Sequence, residues 1–301
     1  MPMKKFVFRS ILFLLPFIGI LILAESYVRS LPNTYKYKES WMWENGHRVH
    51  TLILGNSHAY YGLVPSVIGD SVFNLSNVSQ RIEHDYFLLK RYARACPKLR
   101  RVVLVADNSC LFDTPMENDE PARVTYYQLY MGYPAHSCLS RYAFELSSMT
   151  YFWQKVKRHL HHEGLNCDSL GWGCDYSVAK RNPNDFLDEN IREHRFVDWN
   201  STHRNRCYLD SVAEWCQQRN VRLFLLQTPV HAAYTRKADA RQLQLVKEMT
   251  DSCCRIYGAV SADYSCDSRF MDNDFFDSDH LTDQGAVKFT RFFTKEMLDL
   301  H

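Results

Sequence analysis

Short unbroken apolar runs alternate with amphipathic segments along most of this 301-residue chain, and that alternation restricts its fold more than any other feature. Val49 to Leu54 is apolar and β-branched and stops at Gly55. Val72-Phe73-Asn74-Leu75 is a shorter run, Arg101 to Ala106 and Val221 to Leu226 are longer, and Ile256 to Val260 completes the set. Runs this short, apolar at successive positions, suit strands buried on both faces. Segments 81–96, 202–219, 238–253 and 283–298 instead carry apolar residues at helical spacing, as in Leu209, Val212, Ala213 and Cys216, or Val287, Phe289, Phe292, Phe293 and Met297. Strand and helix in alternation predict an α/β domain with a mostly parallel sheet covered by helices. In such sheets binding groups collect at the carboxyl ends of the strands. Ser57, Ser76, Asn108, Thr228 and the loop Asp277–His280 all follow such ends.

The N-terminus has a different character. Lys4, Lys5 and Arg9 precede an uncharged apolar stretch, Ser10 to Ala24, closed by Glu25. A basic flank before an apolar run has the form of an export signal or anchor. Spanning a bilayer takes about 20 residues, which the run reaches if Phe6 to Phe8 join it and Arg9 snorkels. Ala24-Glu25-Ser26 is a poor cleavage site, so an uncleaved anchor is preferred to a cleaved signal, with a buried helix as the third reading. Lysines on the cytoplasmic side would leave the rest of the chain facing outward, in a bacterial periplasm or cell envelope. The expected organisation is an anchor over 1–25, a stalk over 26–48 broken at Leu31-Pro32-Asn33, and one domain over 49–301. An aromatic-rich insertion over about 110–200, with Tyr126, Tyr127, Tyr130 and Tyr133, reads equally as a substrate-facing lid or a structural excursion.

Hydrophobic residues at 46% and charged residues at 23% describe a globular chain. A net charge of +2 gives no reason to expect a nucleic-acid partner. Ten cysteines allow disulfides in an exported protein, and Cys167 with Cys174 would close a short loop. No paired C-x-x-C has zinc spacing, so neither a metal nor another cofactor is expected. Asn74, Asn77 and Asn200 lie in N-x-S/T triplets.

Chemistry is concentrated in two distant stretches, Gly55-Asn56-Ser57-His58 and Asp277-Ser278-Asp279-His280. A serine hydroxyl is a weak nucleophile until a base, itself oriented by a third group, takes its proton. Ser57 is the candidate nucleophile, His280 the base and Asp277 the group that orients it, with Asp279 as a rival. The backbone N–H groups of Ser57 and Ser76 and the side-chain amide of Asn108 are candidate oxyanion donors. His58, His231 and Tyr234 are candidate pocket residues. Each of these also has a plain reading, as a helix cap, a turn residue or a solvated surface group.

Gly55-Asn56-Ser57-His58 resembles the first block of the SGNH/GDSL hydrolase superfamily, usually G-D-S. Asn74-Leu75-Ser76-Asn77 sits where the second block carries its oxyanion-hole glycine. Ala106-Asp107-Asn108-Ser109 resembles the third block, G-x-N-D, keeping only the asparagine. Asp277-Ser278-Asp279-His280 matches the D-x-x-H of the fifth block, with the Leu281-Thr282-x-x-Gly285 continuation. The resemblance covers roughly residues 49–300 and implies a flavodoxin-like three-layer α/β/α domain. It also implies a Ser-His-Asp esterase or O-acyltransferase, taking an acylated carbohydrate or another small ester, as envelope members anchored in membranes do. Asn56 for aspartate, Ser76 for glycine and the altered third block depart from the pattern. The alternative is a non-catalytic relative that binds envelope glycan or an assembly partner.

Overall fold

The computed structural model describes residues 2–134, 143–186 and 199–298. The chain divides into two compact units, residues 1–37 with 120–165, and residues 38–119 with 166–301.

The second unit is built on a five-stranded, all-parallel sheet in the order β2-β1-β3-β4-β5. Its strands are β1 (Thr51–Leu54), β2 (Val72–Asn74), β3 (Arg101–Val105), β4 (Arg222–Gln227) and β5 (Val260–Asp263). Successive side chains of a strand point to opposite faces. Ile53, Val103, Val105, Phe224 and Leu226 therefore meet the helix Asp283–Phe293 through Ala286, Phe289 and Phe293. Leu52, Leu54, Val102, Leu104, Leu223 and Leu225, equally buried, face the other way. The helices Ile82–Tyr92, Ser201–Gln218 and Ala240–Tyr257 pack together in the second helical layer. This is the three-layer α/β/α architecture that the alternation predicts, and its strand order is that of flavodoxin-like sheets.

The strand after Cys253 differs from expectation. Ile256 belongs to the helix Ala240–Tyr257 and is exposed, and the helix ends only at Gly258, whose φ of 71° suits a left-handed cap. β5 accordingly begins at Val260 and not at Ile256. A single apolar residue at a helix end cannot be told from a strand start by hydropathy alone.

In the first unit, one helix runs from Pro2 to Ser30, five residues past the expected anchor boundary. It is long and apolar enough to cross a membrane, and its apolar window is exposed throughout. Pro32 follows its end, and where a stalk was expected a second helix, Thr34–Asn45, begins in this unit and continues from Lys38 in the sheet unit. The insertion supplies the helices Pro121–Met131 and Met149–Leu160. Within this unit Glu25 accepts hydrogen bonds from the N–H groups of Glu145 (3.0 Å) and Leu146 (3.1 Å), and Arg29 donates to the carbonyl of Ala143 (3.0 Å). Residues 166–186 of the insertion belong to the sheet unit. Its stretches 135–142 and 187–198 lie outside the described residues.

Among the described residues there is no disulfide; Cys167 is buried, Cys174 is exposed, and the two are not bridged.

Phe289 is fully buried against the rings of Tyr264, Phe270 and Phe293, on the helix that follows the Asp277–His280 loop. Phe289→Ala should lower stability by about 3–5 kcal/mol, measured as a fall in denaturation midpoint of the detergent-solubilised chain. An unchanged midpoint would contradict this packing.

Candidate active site

β1 ends in a turn that only glycine can make. Gly55 has φ of 124°, and a Cβ there would lie 3.0 Å from that of Val105 on the neighbouring strand. Its N–H donates to Asp85 Oδ1 at 2.8 Å, and Gln80 donates to the same oxygen at 2.6 Å. Burial pushes the Asp85 carboxyl up to about 7, against the pull of those two donors. Asn56 then caps the helix Ser57–Gly62, its Oδ1 accepting from the His58 N–H at 2.9 Å. Ser57 is thereby raised at the helix start, half-buried between buried neighbours.

The second stretch is a self-bonded loop. Asp277 Oδ1 accepts from the N–H groups of Asp279 (3.1 Å) and His280 (2.8 Å). Phe276 and His280 close the turn through a backbone bond of 2.8 Å. Thr282 caps the final helix by accepting from Gly285 N–H at 3.1 Å, and a Cβ at Gly285 would strike the Asp274 carbonyl at 2.0 Å. The loop is thus fixed on both sides.

These two stretches meet. His280 Nε2 lies 2.8 Å from Ser57 Oγ, and its Nδ1 lies 3.0 Å from both oxygens of Asp277. The rival Asp279 stands 3.6 Å from His280 Nδ1, beyond hydrogen-bond reach. With Nδ1–H donated to Asp277, the Nε2 lone pair faces the serine, as a base requires. Tyr61 and Tyr176 stack at 3.8 Å and meet the His280 ring nearly at right angles, with centroids 5.8 and 5.4 Å away. Phe276 extends the stack at 4.0 Å from Tyr176. Tyr176 comes from the insertion and carries no motif, so nothing in the sequence marks it out.

A second imidazole completes the centre. His58 Nδ1 is 2.6 Å from Asp107 Oδ2, and Nε2 is 3.5 Å from Asp279 Oδ2. Burial alone would lower the His58 pKa, but the hydrogen bonds to Asp107 and Asp279 outweigh it and lift it to about 10. His58 is therefore a buried cation whose ring centroid is 5.1 Å from that of His280. Asp107 also accepts from Asn56 Nδ2 (3.0 and 3.1 Å) and from the Cys110 N–H (3.0 Å). Burial would raise its pKa; the bond and charge of His58 hold it below the usual carboxylate value. His58, Asp279 and His280 bring ligand-type atoms within 4.8 Å of one another. The His58 imidazolium already supplies the positive charge there, and both His Nδ1 atoms face the carboxylates of Asp107 and Asp277.

The candidate oxyanion donors separate. Ser57 is the first residue of its helix, where N–H groups have no intrahelical acceptor. Asn108 is buried at the head of a short helix capped by Asp107, and its side-chain oxygen has no partner among the described residues. Ser76 is a correction to the sequence reading. It is fully buried, its N–H and hydroxyl both donate to Asn74 Oδ1 (N–H at 3.1 Å), and its carbonyl accepts from Lys38. Its N–H is already committed to the bond with Asn74. Beside Asn108 lies a cavity of about 30 Å³, lined by His58, Asp107, Thr228 and Tyr234 among others. His231 does not line it: its Nδ1 accepts from Ala233 N–H (3.2 Å), and its Nε2 faces Asp272 (3.2 Å).

The charge on His58 has a measurable consequence. A histidine whose folded pKa exceeds its unfolded value of about 6.5 stabilises the fold fully below that pH. The contribution disappears as pH rises through the folded value of about 10. The melting-temperature deficit of His58→Gln should therefore be largest near about pH 6 and shrink toward about pH 10. A deficit constant over that range would mean that His58 is neutral. Asn56→Asp, which sets a carboxylate against Asp107 where an amide now donates, should be destabilising by about 1–3 kcal/mol in denaturant titration. Equal stability would contradict the assigned Asn56–Asp107 bonds.

No protein-family model matches the chain, and no curated protein matches it. Among solved structures, a protein of Streptococcus pneumonia provisionally described as a platelet activating factor aligns over 95% of this chain and 98% of its own. Its TM-score is 0.44 at 10% identity. A Bacteroides fragilis protein provisionally described as an acylhydrolase aligns over 91% of this chain and 95% of its own, with TM-score 0.40 and 10% identity.

Proposed function

We propose that this protein is a serine-dependent ester hydrolase or O-acyltransferase of the SGNH type, acting on O-acyl groups of cell-envelope glycans. The observation that carries the reading is the run of contacts from Ser57 Oγ through His280 to Asp277, at 2.8 and 3.0 Å. In the first half-reaction Ser57 Oγ attacks the ester carbonyl and His280 Nε2 takes its proton. Asp277 stabilises the imidazolium through Nδ1–H without becoming protonated. The tetrahedral oxyanion is met by the Ser57 N–H and the Asn108 amide; Ser76 has no part in this scheme. Collapse of the intermediate breaks the ester C–O bond, and His280 returns its proton to the departing sugar oxygen. The acyl group remains on Ser57.

In the second half-reaction His280 deprotonates either water, which releases the free acid, or a sugar hydroxyl, which receives the acyl group. The assignment to envelope glycan is supported by the long apolar helix at the N-terminus and by its basic flank, Lys4, Lys5 and Arg9, which favours an outward orientation for the rest of the chain. The fixed loop and the ring stack around His280 favour catalysis because they hold the base in place before substrate arrives.

A fluorophosphonate probe should label the wild type and not Ser57→Ala or His280→Ala. Asp277→Asn should keep the fold and lose about 10³- to 10⁴-fold in kcat. Acetylated glycan should be a better substrate than short aryl esters. An added sugar acceptor then distinguishes transfer from release of free acid. No labelling of the folded wild type would sink the enzyme reading.

A further inference from the structure

The helix Met149–Leu160 buries a lysine and leaves three large apolar residues exposed. Met149, Trp153, Val156 and Leu160 recur at spacings of four, three and four, which makes one stripe on a helix. In a helix on a soluble core that stripe would be covered. Here Met149, Trp153 and Leu160 are 54%, 60% and 68% exposed, and Phe144 just before the helix is also exposed. The one buried residue of this helix is Lys155, with Tyr151 and Phe152 half-buried beside it and Val156 half-buried at the edge of the stripe. Lys155 is buried in an ion pair with Glu145 at 2.5 Å, and its ammonium lies 5.4 and 5.8 Å from the rings of Tyr130 and Tyr126. Met149, Trp153 and Leu160 thus make an apolar face that the described residues leave largely bare.

Its position in the unit says what covers it. The segment is tied to the last turns of the long apolar helix by the Glu25 bonds to Glu145 and Leu146, by the Arg29 bond to Ala143, and by the edge contact of Tyr27 with His159. From Lys5 to Glu25 a helix climbs about 30 Å, the thickness of a bilayer's hydrocarbon core. Glu25 to Arg29 thus falls at the headgroup level, where tyrosine and tryptophan are favoured. Lys157 is exposed in the last turn and Arg158 partly so, as expected of a helix lying among phosphates.

We propose that the Met149–Leu160 stripe lies in the boundary between headgroups and acyl chains of the bilayer crossed by the helix Pro2–Ser30. The bilayer then covers the face that the protein leaves bare, and this part of the insertion is a membrane-surface element, not a lid. The inference is independent of the ester chemistry and rests on the N-terminal helix being retained and spanning.

The test uses the full chain reconstituted in phosphatidylcholine vesicles, with and without bromine atoms high on the acyl chains. Flotation with the vesicles is scored first, then tryptophan quenching. The chain has six tryptophans, so Trp153→Phe should remove about one-sixth of the emission, and that share should be the part most strongly quenched by bromine. Val156→Asp, which puts a charge in the stripe and leaves the Lys155 side untouched, should reduce the quenching to the level of Trp153→Phe. Equal fractional quenching of wild type and Trp153→Phe in floating protein overturns the proposal and leaves the anchor intact. That is also the outcome if a second copy or another protein covers the stripe. A chain that does not float overturns both.

Discussion

The end of β1 is tied to the end of β3 by one buried ion pair, His58 with Asp107, and the geometry of the site depends on it. Removing two ions from water costs several kcal/mol each, and pairing offsets this only where every remaining polar atom is also satisfied. The site meets that condition. Asp107 accepts from His58, from the Asn56 amide and from the Cys110 N–H, while His58 faces carboxylates with both nitrogens. The pair therefore holds three backbone segments at once: the turn that raises Ser57, the helix start that carries Asn108, and the loop in which Asp279 sits beside His280. Losing either partner leaves a lone buried charge, which is far costlier than the pair.

This network gives work to the two residues at which the chain departs from the sequence blocks it resembles. The Asn56 side chain accepts from the His58 N–H and donates to Asp107 at the same time. A carboxylate could do only the first. Ser76 spends its N–H, hydroxyl and carbonyl on internal bonds to Asn74 and Lys38. Any oxyanion site here leans on the helix start at Ser57 and on Asn108. The two substitutions that looked like weakening of the pattern are two parts of a different supporting structure.

Much of this was legible in the residues. The buried strands β1, β3 and β4 announce themselves as apolar runs, since parallel strands covered on both faces have no polar side to show. The meeting of Ser57, Asp277 and His280 could be expected because all three were placed after strand ends. Choosing Asp277 over Asp279 needed only turn geometry, in which a residue three positions back can reach the ring nitrogen. Other features were not legible. Ile256 looked like a strand residue and is the exposed end of a helix. His58 lines the cavity as expected, but its ion pairing was hidden, because no local pattern places Asp107 or Asp279 beside it. Tyr176 lies in a stretch without periodicity, and its stacking on Tyr61 joins positions more than a hundred residues apart.

Sequence by itself determined the class of fold, the apolar helix at the N-terminus and the residues able to do acyl-transfer chemistry. Hydrophobic period, turn chemistry and side-chain functional groups are local properties, written in the order of residues. Tertiary structure alone decided which histidine faces the serine and which becomes a buried cation, that Ser76 is spent on internal bonds, and that the helix Met149–Leu160 turns its apolar stripe outward. Those outcomes depend on which charges and surfaces meet in space, and burial changes both the protonation of a group and the partner it requires.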